Sequence, residues 1–127
     1  MEPNLTMQTA LVLFAISAVG GIVMATIRFS GKPHPPIWLA MLHGFLSAAA
    51  LTLLVYAACT VGLPSLALTA TALFVIAALG GVVMNLNYHW KAIPLPKWLV
   101  LVHAAVAIVG FLCLLVAAWP TFGLNAT

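Results

Sequence analysis

Acidic residues are almost missing from this chain of 127 residues, where Glu2 is the single carboxylate side chain against four Lys and Arg. Charged residues of both signs make up 4% of the sequence, and apolar residues make up 65%. A soluble domain covers its surface with polar side chains, and this composition cannot supply them. No Asp or Glu lies within an apolar run, which excludes proton-coupled antiport through intramembrane carboxylates. Cysteine is nearly as scarce. Cys59 and Cys113 form no CxxC pair and fall at different depths of their runs, so no disulfide is expected. There is no CxxCH motif, no phosphate-binding loop, no Ser/His/Asp set for hydrolysis, and no polar stretch long enough to hold a soluble active site. The net charge of +3 is too sparse to imply a nucleic-acid partner.

What is present is a set of apolar runs of about 20 to 27 residues, the length a helix needs to cross roughly 30 Å of hydrocarbon. Pro3, Pro33, Pro35, Pro36, Pro64, Pro94, Pro96 and Pro120 all lie between or beyond these runs. Proline lacks an N–H and clashes with the preceding turn, so it marks helix starts and loops. The sequence therefore predicts an all-α membrane protein with helices at about 6–28, 36–60, 65–88 and 96–119. Strands are excluded by run length and by the need to satisfy every backbone group within the bilayer. The N-terminal Met-Glu-Pro-Asn-Leu-Thr has no basic residue, and the first run is too long for a leader, so it is expected to remain as a helix. Arg28 and Lys32 fall in one connection, Lys91 and Lys97 in another. The positive-inside rule then places the loops at about 29–35 and 89–95 in the cytoplasm and both termini outside, in a multi-pass protein of the plasma (inner) membrane.

The chain is also duplicated. A shift of sixty positions lays Thr9-Ala10 on Thr69-Ala70, Leu13-Phe14 on Leu73-Phe74, Gly20-Gly21 on Gly80-Gly81, Val23-Met24 on Val83-Met84, Pro36 on Pro96, Trp38-Leu39 on Trp98-Leu99 and His43 on His103. Between Thr9 and Ala58, about 17 of 50 positions are identical under this shift. The single transmembrane domain 1–127 is thus read as a tandem duplication of one helical hairpin, repeat one at about 6–60 and repeat two at about 65–119. Two parallel repeats imply a pseudo-two-fold axis along the membrane normal. Short connections imply an up-down four-helix bundle with helices 2 and 4 on one diagonal.

His43 and His103 each follow a repeat-related proline by seven residues, which puts both about 10 Å below the loop-side helix ends. An imidazole at that depth needs a partner, and intramembrane ionisable residues point to function. The alternative is a histidine that bonds a neighbouring helix and holds the bundle together. Two such residues facing each other across a two-fold axis suit a metal with trans axial positions. Gly20, Gly21, Gly80 and Gly81 lie at the same depth on helices 1 and 3. They serve either close helix packing or clearance for a flat ring whose edges point at those helices. Met24 and Met84, one turn nearer the loops, offer a rival set with the histidines for copper(I) or one axial sulfur for iron, or simply fill the core. His34 and His89 are not repeat-related and are read as interfacial. Trp38 and Trp98 are read as interfacial anchors.

The pattern of Gly20, Gly21, Gly80, Gly81, His43 and His103 resembles the four-helix haem-b bundle of cytochrome b and the b561-type membrane cytochromes. Those bundles carry histidines on the second and fourth helices and glycines on the first and third. Cytochrome b has two histidines on each ligating helix and holds two haems. Here each helix has one, so the resemblance implies a single haem b bound by His43 and His103, one-electron transfer, and quinone as a partner. The other readings are a non-catalytic accessory subunit of a larger membrane complex, and the handling of copper or a small molecule. Loops this short favour the lipid bilayer, a membrane-complex partner or a homodimer over a soluble partner.

Overall fold

The computed structural model describes residues 2–119. Pro120 as a helix boundary and the position of the C-terminus lie outside the described residues. The described chain forms α1 (Pro3–Phe29), α2 (Ile37–Thr60), α3 (Ser65–Met84) and α4 (Lys97–Ala118), with one π-helical turn, Asn85–His89, continuing α3. Four helices are long and apolar enough to cross a membrane, with α3 and its π turn counted as one span. The protein is a multi-pass, all-α bundle. Side chains such as Ile22, Phe45 and Leu79, at 67%, 72% and 62% exposure, face outward where acyl chains replace water.

Proline starts every helix, in two ways. Pro3 is the first residue of α1, so that helix begins a few residues before the expected position 6; a missing N–H costs nothing at that position. Pro36, Pro64 and Pro96 instead precede their helices, and each carbonyl accepts an early helical bond, from Ala40, Leu68 and Val100 N–H respectively. α2 and α4 accordingly start one residue later than expected. α2 ends where Gly62, at φ +82, donates its N–H to the Ala57 carbonyl at 2.9 Å, a left-handed cap that glycine adopts without strain.

The largest departure from the sequence reading is at the end of α3. The π turn carries a bond from Trp90 N–H to the Asn85 carbonyl and closes with Ile93 N–H on the Tyr88 carbonyl. Ala92 occupies the left-handed position there, at φ +54, where a Cβ costs about 1–2 kcal/mol. Ala92→Gly should therefore raise the thermal unfolding midpoint in detergent; a lowered midpoint would contradict this account of the cap.

Each helix packs along its hairpin partner, α1 on α2 and α3 on α4, and the hairpins meet through α1–α4 and α2–α3. The remaining pairs, α1–α3 and α2–α4, are the diagonals. The duplication is visible in burial, since residues 10–24 and 70–84 have the same pattern at every position. Across the axis, Phe14 and Phe74 stack at 3.8 Å between centroids. Around them Met7, Ala10, Leu11, Ala50, Leu54, Ala67, Ala70, Leu114 and Ala118 form the core. All of it lies in the half nearer the chain termini. Along the same faces toward the loops, burial falls from buried at Ser17 and Ala77 to half-buried at Gly21, Met24, Gly81 and Met84. The cluster of buried side chains thus fills one half of the bundle, and in the loop half Leu39, His89 and Leu95 are the buried large side chains.

The two long loops dock on each other. Leu95 N–H donates to the Pro33 carbonyl at 3.0 Å, and Arg28 Nε–H donates to the Leu95 carbonyl at 2.7 Å. The Arg28 guanidinium also reaches the Lys32 carbonyl at 3.2 Å. Arg28 therefore ties the two repeats together. Cys59 and Cys113 are both free thiols.

Candidate functional site

His43 and His103 lie on the loop side of that core. Their rings meet edge to face across the α2–α4 diagonal, with centroids 6.3 Å apart and planes at 69°. Each ring is oriented by its own hairpin. His43 Nδ1 lies 2.9 Å from the Ser17 carbonyl oxygen, and His103 Nδ1 lies 2.9 Å from that of Ala77. Ser17 and Ala77 are themselves repeat-related. A carbonyl can only accept, so Nδ1 carries the proton in both rings and the lone pair is on Nε2. A second-sphere carbonyl on Nδ1–H is the usual way a metal-binding imidazole is fixed in tautomer and direction.

These contacts explain the paired glycines. The carbonyl of residue 17 points along α1 toward residues 20 and 21, and helical Cβ atoms tilt back toward the N-terminus. Side chains there would cover that carbonyl. A Cβ on Gly21 would stand 3.1 Å from His43 Cε1, and one on Gly81 would stand 3.5 Å from His103 Cε1. At Gly20 and Gly80 the nearest histidine atoms would be His43 Cβ at 3.8 Å and His103 Nδ1 at 3.7 Å. The clearance that the sequence assigned to a flat ring is, in this structure, clearance for the two imidazoles. All six sequence-selected residues, His43, His103, Gly20, Gly21, Gly80 and Gly81, come together in one layer.

The layer is not symmetric in its polar groups. Ser17 Oγ lies 3.0 Å from His43 Nδ1 and donates to the His43 carbonyl at 3.1 Å. With that proton engaged, Ser47 Oγ–H donates to Ser17 Oγ at 2.6 Å. The repeat partners of Ser17 and Ser47 are Ala77 and Ala107, so His103 has the carbonyl bond alone. Sequence reasoning passed over Ser17 and Ser47; the signal was that the duplication replaces both hydroxyls together.

Ring spacing limits what the pair can bind. An imidazole nitrogen sits about 2.0–2.1 Å from a metal it ligates, and the ring centroid lies roughly 1.2 Å further on. Trans ligands on one ion therefore have centroids about 6.4 Å apart, and tetrahedral ligands about 5.2 Å apart. The observed 6.3 Å matches the trans value. Met24 and Met84 are half-buried on the same helix faces, one turn toward the loops.

His34 and His89, both at the loop-side end where the sequence expects interfacial residues, meet each other, with ring centroids 4.9 Å apart. His89 is buried at 6% exposure, because the π turn directs it beneath the docked loops. Among the described residues, no group of three or more His, Cys, Asp or Glu comes together. The chain matches no protein family, no curated protein and no solved structure.

Proposed function

We propose that the chain is a membrane cytochrome that binds one haem b between α2 and α4, with His43 and His103 as the axial ligands, and passes electrons one at a time. The observation that carries this reading is the 6.3 Å separation of two imidazoles whose Nδ1 atoms both bond backbone carbonyls. Nε2 is thereby left as the lone-pair nitrogen on each ring, and the ring centroids stand at the separation that trans ligands have. Met24 and Met84, one turn toward the loops, are only half-buried, so the packing beside the histidines is looser than in the core and supports the reading further. When bound there, haem supplies a one-electron iron couple.

The chain's own residues do the rest. Ser17 and Ala77 carbonyls hold the imidazoles in the Nε2-basic tautomer, Gly20, Gly21, Gly80 and Gly81 admit the rings to those carbonyls, and Phe14 with Phe74 closes the axis on the far side. The Ser17 hydroxyl makes the two ligand environments unequal. Electron partners must reach the site through the bilayer or through a docked membrane subunit, because the loops offer a soluble protein little surface; quinone fits the first route. The reduced-minus-oxidised visible spectrum of purified protein tests this reading directly.

A second reading has one specific observation in its favour. The Ser17–Ser47–His43 network bonds α1 to α2, which is also what a structural histidine in a non-catalytic accessory subunit would do.

The same proposal includes orientation. The grouping of Arg28, Lys32, Lys91 and Lys97 supports an orientation with the docked loops on the cytoplasmic side of the plasma (inner) membrane. A reporter fused after Thr127 is expected to be active outside the cytoplasm and one inserted beside Lys91 inside it. The reverse pattern would move the histidine layer to the opposite leaflet.

A further inference from the structure

The second histidine pair has features that the haem reading does not use. His89 is buried, its Nε2 has no hydrogen-bond partner, and the buried Oδ1 of Asn85 has none either. Both residues belong to the π turn, one at each end, so they project near one another at the loop-side end of the bundle. His34 arrives from the other repeat, carried by the loop that Arg28 and Leu95 clamp in place. Unpaired polar atoms in a closed setting cost free energy; here two such atoms fall four residues apart on one turn, with the His34 ring beside that of His89. The set is absent from repeat one, where Ala25 and Phe29 stand in register with Asn85 and His89, and α1 remains regular through them.

We propose that His34, His89 and Asn85 form a site for a first-row divalent cation of the zinc class, distinct from the intramembrane pair. The two imidazole nitrogens are borderline donors, which suit zinc more than calcium or magnesium, and the harder amide oxygen completes the set as a weaker third ligand. The spacing agrees: 4.9 Å between the ring centroids lies near the tetrahedral value of about 5.2 Å and far from the trans value of about 6.4 Å. Three protein ligands leave one position open for water or an exchangeable group. The donors are neutral and supply no charge of their own to the cation, so the ion is held with moderate affinity and can exchange. The bound ion would crosslink the two repeats at their loops, adding to the Arg28 clamp.

Zinc titrated into the purified full chain against a chromogenic chelator tests this. The expected result is one zinc per chain in the micromolar range, with cobalt(II) in its place giving the intense visible bands of a tetrahedral site. His34→Ala, at a half-exposed position whose loss need not disturb packing, should weaken binding by at least about tenfold, as should His89→Ala. The His43→Ala/His103→Ala double variant should bind zinc as the wild type does, whether or not the haem reading holds. Zinc that survives His34→Ala and His89→Ala but is lost in the double variant belongs to the intramembrane pair and overturns the proposal. A wild-type protein that takes up no zinc also overturns it, leaving bridging water on the two orphaned atoms.

Discussion

The purified wild-type protein, reduced with dithionite, is expected to show a low-spin haem b spectrum at roughly one haem per chain, and replacing either His43 or His103 by alanine is expected to abolish it. The size of the effect follows from the geometry. Each imidazole offers a single lone pair, on Nε2, because its Nδ1–H is bound to a carbonyl of its own hairpin, so one ring fills one axial position and the other needs the second histidine. Either variant therefore leaves the iron five-coordinate or the haem unbound. Ser17→Ala should act more mildly: the Ser17 carbonyl still orients His43, and only the hydroxyl contacts are lost. Pigment should remain, and the midpoint potential is the quantity expected to move. Replacing His34 or His89 should leave the spectrum nearly unchanged, since neither lies in the histidine layer. If the chain were an accessory subunit with structural histidines, the wild type would be colourless and the alanine variants would show only packing defects. Well-folded wild-type protein made with ample haem and carrying none would end the cytochrome reading and leave the duplicated bundle.

The four spans, the duplication and the shared depth of the histidines and glycines were legible in the sequence because each rests on a periodic or covalent constraint. Apolar run length sets the spans, proline sets their ends, and an ungapped shift of sixty carries every matched residue to an equivalent place. The partners of the glycines were not legible. Gly-Gly in a membrane helix is consistent with close packing, ring clearance or an uncovered carbonyl, and only the positions of Ser17 and Ala77 relative to the imidazoles decide among these. The π turn was also hidden. Asn85, Asn87 and His89 sit where repeat one has Ala25, Ile27 and Phe29, so the break in the repeat was on view, but an added residue in a helical turn leaves no periodic signature over five positions. Loop docking was unreadable for a related reason, since it depends on backbone groups of Pro33 and Leu95 that any sequence would provide.

Leucine at position 21 is expected to remove the pigment while the protein still inserts into the membrane. The Cβ alone would stand 3.1 Å from His43 Cε1, tighter than an ordinary contact, and the rest of the side chain would occupy the imidazole's seat against α1. His43 would then lose the Ser17 carbonyl and, with it, the direction of Nε2. The second repeat provides an internal comparison. At Gly81 the corresponding distance is 3.5 Å, an ordinary contact, and at Gly20 and Gly80 the nearest histidine atoms are 3.8 and 3.7 Å away. Alanine should therefore be tolerated at positions 20, 80 and 81, with about 1 kcal/mol of helix propensity gained at each. Alanine at position 21 should lower haem content, because the ring must shift by a few tenths of an ångström against two bonds that fix it. Haem content per inserted chain, measured for the four alanine variants and for Gly21→Leu, reads this order. Were the glycines there only for helix–helix approach, Gly21→Leu would instead deplete the protein from the membrane fraction, and the alanine at 21 would behave like that at 81. A Gly21→Leu/Gly81→Leu double variant that keeps its pigment would show that the imidazoles do not depend on the space the glycines leave.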